Sequence, residues 1–378
     1  MTHRSFAWFS MAEFGEVVAR LDEQIEDRPE PDWSNEPVSV KPFQQDEWSF
    51  DQFGFLSNGP QITSGTPTLF KLKNVSVQRE NHGIKRYHVL LADGICARET
   101  YHDGPWIGNK VADCSTGNVQ LWDGKIVPVT INILSDQSIE ATVDRPTVLI
   151  SHQWANNYPH MLLETMSRWW AERDCPEGAD ILWETPLPFM QQMAELSGRD
   201  KRLVSLPAPR TLYRELWAPT MLCPYGHSRR QVEYLRSGYD QIVVPPVPPY
   251  DKVYISRSDA KTRRVTNEKE LAAVLEPLGF TGMTLGQATV AEQISLFRHA
   301  KVIVAPHGAA VANVIFCQPG TVVIELIPQS YRHTMYGYVA AWSGLKYGRV
   351  VCPDTGGKEA DMTVVVEDVT RALQEMGT

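Results

Sequence analysis

The spacing of apolar and polar residues changes character along the chain. Near the N-terminus, Met11, Phe14, Val17, Val18, Leu21 and Ile25 recur at helical spacing with charges opposite. Ser10 and Glu13 stand at capping-box distance, so the pattern predicts a helix over 10–26. Its apolar face would cover a neighbouring domain or a second subunit, which makes it the surface for a homodimer; it lacks the Lys/Arg rim of a membrane-surface helix. Residues 27–65 are polar with scattered Pro and Trp and read as an irregular wrapping segment. From 66 to 150 the chain is β-rich. Runs at 68–77, 87–91, 119–122 and 126–134 are β-branched or aromatic, and Asp93-Gly94 and Asp123-Gly124 are hairpin signals.

After that, short apolar runs alternate with amphipathic stretches. Strands are expected at 146–151, 181–183, 202–206 and 212–218, with helices from Pro159 to about 172, at 188–197 and at 231–238. Pro245-Pro246-Val247-Pro248-Pro249 is a stiff extended spacer, read as the domain boundary. The second half restarts with a strand at 252–256, a helix over 267–278 stopped by Gly279, a short strand at 283–285 and a helix at 290–299. Strand 300–305, a helix of small residues over 309–316 and strand 321–327 follow, then a helix at 331–344, strands at 346–352 and 362–367, and a helix at 368–376. This plan divides the chain into 1–65, an N-terminal domain at 66–244, the linker 245–250, a C-terminal domain at 251–352 and a closing strand and helix at 353–378.

Composition narrows the function. The 378 residues suit two domains, and a hydrophobic content of 43% is enough for buried cores. A net charge of -9 argues against duplex nucleic acid or an anionic membrane as the main partner. The six cysteines lack CxxC spacing and read as reduced, structural thiols. No signal-peptide pattern opens the chain and no run reaches the roughly 20 apolar residues that span a bilayer, so the expectation is a cytoplasmic protein without an integral membrane segment.

Two places carry chemistry. The first is the strand–turn–helix–strand unit from Lys301 to Ile327. His307-Gly308-Ala309 opens a helix, where unpaired amides and the helix dipole favour a phosphate. Glu325 lies on the next strand, where an acidic side chain can take ribose hydroxyls. The same unit without a ligand occurs in many α/β folds, and His307 can equally cap the helix. The loop Ser256-Arg257-Ser258-Asp259-Ala260-Lys261-Thr262-Arg263-Arg264 follows another strand of the same sheet. Both loops leave carboxyl ends of strands and can converge on one anion. The second place is Asn157-Tyr158-Pro159-His160 with Glu164. His160 and Glu164, four apart near a helix start, can act as a base and its orienting partner, or can be a surface pair. His152 and Asp103 are competing proton acceptors.

These residues together resemble the family 61 glycosyltransferases, formerly a domain of unknown function. The likeness rests on Asn157-Tyr158-Pro159-His160 with Glu164, Tyr254-Ile255-Ser256-Arg257, Arg263-Arg264 and Asn267-Glu268. It continues through Glu292-Gln293, Ala305-Pro306-His307-Gly308-Ala309-Ala310, Asn313, Pro319-Gly320 and Glu325-Leu326. It covers about 146–327. The sequence departs from the family at Met161, where an aromatic often follows the helical histidine. The resemblance implies an α/β GT-B enzyme in which two Rossmann-like domains face a cleft, behind a β-rich N-terminal portion. It implies an inverting transfer of a hexose or pentose from a nucleotide sugar, UDP-linked, to a hydroxyl of a glycan, polysaccharide or glycolipid, with no metal and no other cofactor. On that reading His160 and Glu164 are catalytic, Ser256, Arg257, Arg263, His307, Gly308 and Ala309 hold the donor, and Asn313 and Glu325 hold the nucleotide or the loop around it. Asn157, Tyr158, His152 and Asp103 lie on the acceptor side. A nucleotide-sugar epimerase or hydrolase, and a non-catalytic nucleotide- or glycan-binding module, are the alternatives.

Overall fold

The computed structural model of the protein describes residues 8–9, 16–20, 68–79, 87–91, 96–97, 112–113, 118–120, 126–128, 139–151, 155–183, 187–219, 229–246, 248, 250–331, 335–357 and 360–378. The chain divides into two compact units, whose described residues run to Pro219 in the first and from Arg229 in the second.

The first unit is built on a mixed ten-stranded sheet. Its long central strands are β1, Thr68–Arg79, and, met last along the chain, Arg210–Pro219, which pairs antiparallel with β1. Between them in sequence come β2 (Thr147–Leu149), β3 (Asp180–Leu182) and β4 (Leu203–Val204), so Arg210–Pro219 is β5. The spatial order β5-β2-β3-β4 is parallel throughout. Leu72, Val75, Val77, Leu149, Leu182, Tyr213, Leu216 and Ala218 pack together in its core.

Within the stretch expected as a helix, 10–26, the described residues 16–20 are extended, and the others lie outside the described residues. Glu16–Arg20 is a strand paired antiparallel with β1, with a register shift between Val17 and Ala19. A twelve-residue strand leaves a long row of backbone groups on the side away from β5, and those groups must be paired. Glu16–Arg20 takes one end of that edge and Tyr87–Leu91 the other. The β-branched Val17 and Val18 suit this extended backbone, and Met11, Phe14, Leu21 and Ile25 of the face expected to meet a second subunit lie outside the described residues. Antiparallel pairs do flank Asp93-Gly94 and Asp123-Gly124.

After β2, residues 158–174 run as three consecutive helical segments, together α1: an α-turn at Tyr158–His160, a π-turn at Met161–Thr165 and a 3-10 stretch at Met166–Asp174. The hydrophobic run Met161-Leu162-Leu163 and the buried Trp169 and Trp170 place apolar groups all round α1. A helix packed on every side takes its pitch from its neighbours rather than from propensity. Pro188–Leu196 is α2, with Pro188 at its first position.

The second unit opens with α3, Arg229–Tyr239, which precedes the proline-rich residues. Its parallel five-stranded sheet contains β6 (Lys252–Ile255), β7 (Thr281–Met283), β8 (Val302–Pro306), β9 (Val322–Pro328) and β10 (Lys346–Cys352). The order is β7-β6-β8-β9-β10. Every residue of β8 and β9 is buried, as the unbroken apolar runs require of strands covered on both faces. Helices α4 (Glu268–Leu275), α5 (Val290–His299), α6 (Ala309–Phe316, a 3-10 helix), α7 (Met335–Trp342) and α8 (Val366–Glu375) join or cover the strands. Gly279 closes the turn after α4 in the left-handed region, φ 87°. Thr289 and Glu292 form a capping box on α5. The strand expected at 362–367 reduces to isolated bridges at Met362, because α8 already begins at Val366.

In this order the sequence of strands reverses direction between β6 and β8, and open parallel sheets receive ligands at the carboxyl ends beside such a reversal. In the first unit the corresponding reversal lies between β2 and β5. The loops that leave β6, β8 and β2 carry the residues singled out in the sequence.

Asn313 binds the layers behind β8. Its side-chain amide donates to Gln293 Oε1 on α5 at 2.9 Å and to the Ala310 carbonyl at 3.0 Å, and the residue is fully buried. Replacing Asn313 with Ala strands the buried Gln293 oxygen and is expected to cost about 1–3 kcal/mol. The urea midpoint should fall with the slope of the transition unchanged; an unaltered midpoint would remove Asn313 from the framework.

Candidate functional site

The turn after β8 is shaped from beneath by a buried carboxylate. Glu325 on β9 has no solvent exposure. Its Oε1 accepts from His307 Nδ1 at 2.5 Å and its Oε2 accepts from the Tyr347 hydroxyl on β10. Arg349 stands directly opposite Glu325 across the β9–β10 ladder. The His307 backbone N–H continues the ladder to the Leu326 carbonyl at 2.8 Å. The imidazole, only 4% exposed, is walled by Tyr331 edge-on at 5.2 Å and by Tyr336 at 5.4 Å. His307 is therefore turned inward, and the turn presents its backbone.

Gly308 is needed for space. Its φ of 169° is extended backbone open to any residue, but a Cβ there would fall 1.8 Å from Arg257 Nη1. The guanidinium thus lies directly over the start of α6, where helix amides are left unpaired. Val311 N–H bonds back to the Gly308 carbonyl at 3.0 Å and closes the first turn of α6. Arg257 is half-buried, its Nη2 donates to the Thr262 carbonyl at 2.9 Å and its Nε lies buried without a partner. Burial and the neighbouring Arg263 both depress its pKa, only partly countered by Tyr336, Asp259 and Asp361. Arg263 holds a left-handed backbone at φ 54°, unusual outside glycine, and lays its guanidinium over Tyr331 at 5.3 Å. Two crowded, half-desolvated cations above a helix start make a place for an anion of more than one charge.

The rest of the loop is scaffolding. Asp259 accepts from Gly286 N at 3.0 Å, and Ser256 Oγ bonds the Ser258 amide and hydroxyl, each at 3.0 Å. Arg264 is drawn aside by Asp361, with bonds of 2.9, 3.0 and 2.7 Å. Of the two roles expected for Glu325 and Asn313, holding the nucleotide or the loop around it, the hydrogen bonds favour the loop. Glu325 has both oxygens engaged in the sheet interior and cannot meet ribose hydroxyls, and Asn313 faces Gln293 behind the turn. Arg257 and Gly308 do come together, with Arg263 beside Arg257, His307 supporting the turn and Ser256 shaping the loop. Tyr347, Tyr331 and Tyr336 were missed. The one available signal was the carboxylate inside the apolar run of β9, which demands donors on neighbouring strands.

In the first unit, His160 Nδ1 and Glu164 Oε2 are 2.9 Å apart on one face of α1. The π-turn that begins at Met161 underlies the pair, a helix defect often found at functional positions. With Nδ1–H donating to Glu164, the neutral ring carries its lone pair on Nε2. Burial opposes the charged ring, yet the charge and hydrogen bond of Glu164 outweigh it and raise the His160 pKa. Asn157 is exposed at the start of α1, and its carbonyl accepts from Met161 N at 2.8 Å. Tyr158 is half-buried against Phe189. His152 and Asp103 lie outside the described residues. Among the described residues no three His, Cys, Asp or Glu side chains converge as metal ligands, and no helix is long and apolar enough to cross a membrane.

Known proteins with similar sequences are sugar-transferring enzymes. A β-1,2-xylosyltransferase of Arabidopsis thaliana is 25% identical over 127 residues, covering 30% of this chain and 23% of that protein. The β-1,2-xylosyltransferase RCN11 of Oryza sativa subsp. japonica is 25% identical over 122 residues, covering 30% and 22%. The xylan glycosyltransferase MUCI21 of Arabidopsis thaliana is 32% identical over 92 residues, covering 23% and 19%. The chain spans less than a quarter of the length of these relatives. The family match is more specific: residues 158–324 match the model described as Glycosyltransferase 61, and through that stretch the chain is similar to glycosyltransferase family 61. The match begins at α1 and ends in β9, so it takes in His160, Glu164, Arg257, Arg263 and Gly308 and stops one residue short of Glu325. A solved dodecameric iron-containing heptosyltransferase, TibC, in complex with ADP-D-β-D-heptose, aligns over 64% of this chain and 70% of its own at 15% identity, with a TM-score of 0.28, too low to carry weight.

Two measurements test the geometry. Gly308→Ala drives its methyl into Arg257, and Arg257→Ala removes the cation; if the turn holds a nucleoside diphosphate, each should weaken its binding in calorimetry by about 1.5–3 kcal/mol, the worth of one charged hydrogen bond. Unchanged affinity in both would take the turn out of the binding site. In an NMR titration, His160 should titrate above the 6.5 of an unperturbed ring, and Glu164→Gln should bring it down. The sign for stability follows: the pair stabilises the fold fully below the unfolded pKa, and that contribution is lost as pH rises through the raised folded value.

Proposed function

We propose that the protein is an inverting glycosyltransferase that moves a pentose, xylose in the first instance, from a UDP-linked donor to a hydroxyl of a glycan or polysaccharide. The observation that carries this reading is the pairing of Arg257 and Arg263 above the Gly308 turn, within the stretch matched to glycosyltransferase family 61. The xylosyltransferase activity of the relatives supports the choice of sugar.

In a single displacement the acceptor oxygen bonds to the anomeric carbon as the bond from that carbon to the diphosphate oxygen breaks. The acceptor proton passes to Nε2 of His160, and the diphosphate departs with the bonding pair. Negative charge grows on the leaving group, so donors fixed before the reaction contribute most. Arg257, Arg263 and the amides at the start of α6 supply them without a metal ion. Glu164 holds the ring in the tautomer that accepts a proton and stabilises the imidazolium that results. The division of labour is GT-B-like, with two Rossmann-like domains: the first unit provides the base and the second holds the donor. The parallel runs β5-β2-β3-β4 and β7-β6-β8-β9-β10 support a Rossmann-like reading of each unit.

Mass spectrometry after incubation with UDP-xylose and an oligosaccharide should find a product heavier by one pentose. Free xylose or an isomerised donor in its place would make the protein a hydrolase or epimerase. His160→Asn should lower transfer about 10²–10⁴-fold, the usual worth of a general base, while UDP affinity stays within about twofold. Full activity in that variant would reassign the base.

A further inference from the structure

One feature of the first unit has no part in proton transfer. Tyr158, in the opening turn of α1, and Phe189, in the opening turn of α2, meet with ring centroids 5.5 Å apart and planes at 79°. These helices follow the adjacent parallel strands β2 and β3, so both rings stand at the carboxyl edge of the sheet. Neither ring is sunk in the core: both are half-buried, and Leu187 and Pro188 beside Phe189 are exposed. Phe189 has no polar tip to explain its place at a rim, and its neighbours leave it partly in water. His160 is two residues beyond Tyr158, and Asn156 and Asn157 precede it, half-buried and exposed respectively.

We propose that Phe189 and Tyr158 form a platform for the acceptor, binding the terminal pyranose ring of a neutral oligosaccharide beside His160. This rests on the transferase reading above and deepens it by naming an acceptor subsite. A pyranose carries an apolar C–H face and a rim of hydroxyls. Perpendicular aromatic rings offer a corner for the apolar face, and the asparagine amides offer partners for the rim. A neutral sugar fits because the two rings carry no charge. Specificity comes from the corner, since a rigid ring is ordered at little entropic cost.

The test uses the full chain and three probes, xylotetraose, cellotetraose and mannotetraose. Saturation-transfer NMR should detect binding of at least one, and Phe189→Ala should weaken it about tenfold. Phe189→Leu, which keeps apolar volume without a ring, should weaken it similarly, and Phe189→Trp should restore it. UDP affinity should stay within about twofold in all three variants. In the transfer assay the acceptor KM should rise while the donor KM stays put. Absence of oligosaccharide binding by the unmodified protein, or unchanged acceptor affinity in both Phe189→Ala and Phe189→Leu, overturns the platform. A fall in melting temperature with UDP and acceptor affinities dropping together, unrescued by Phe189→Trp, would make Phe189 structural and overturn it as well. The two readings fail separately. Ring-dependent sugar binding without any transfer sinks the transferase reading alone. Transfer that needs His160 but ignores Phe189 sinks the platform alone.

Discussion

A carboxylate in the middle of a parallel sheet sets the terms for the second unit. Glu325 has no access to water, and an isolated charge there would cost many times what a fold can spare. It is tolerable because His307 and Tyr347 both donate to it. That need fixes the turn after β8. The imidazole is committed inward, the backbone is left outward, and Gly308 leaves the gap into which Arg257 leans. The anion site is thus the exposed side of an arrangement whose buried side is a hydrogen-bond network. Such networks stabilise only when every member is satisfied, which explains why three strands contribute to it.

Both units obey one rule of parallel sheets. Where the strand order reverses, the loops on the carboxyl side diverge and leave room above the sheet. In the second unit this happens between β6 and β8, which brings the arginine loop over the Gly308 turn. In the first it happens between β2 and β5, beside the start of α1. His160 and Glu164 at such an edge stand on a helix whose other faces are buried, so their positions are set by core packing.

What could be read from the sequence was what is local. The four-residue spacing of His160 and Glu164, the Gly turn before small residues and the arginines after a strand each define geometry within one element, and each was found where expected. The helix drawn over 10–26 shows the limit. Its apolar spacing fits a helix, but the open edge of β1, some fifty residues away, offered backbone pairing that the pattern could not reveal. Glu325 shows a second limit. A strand-borne carboxylate looks the same in sequence whether it faces a ligand or the interior, and its partner Tyr347 sits on the following strand, beyond α7. Nor can a helical pattern foresee the π-turn in α1, which depends on what surrounds it.

The clasp between Arg264 and Asp361 has a further meaning. Asp361 also bonds the Arg264 backbone, Met362 N–H reaches the Arg264 carbonyl at 2.9 Å, and Asn267 pairs with Val364 in both directions at 2.8 and 2.9 Å. The tail is therefore stitched alongside the end of the arginine loop, immediately after the strained Arg263. Residues well past the family match act as a rail that keeps the loop at its pitch. Sequence drift in that tail would be felt as a change in where Arg263 and Arg264 stand.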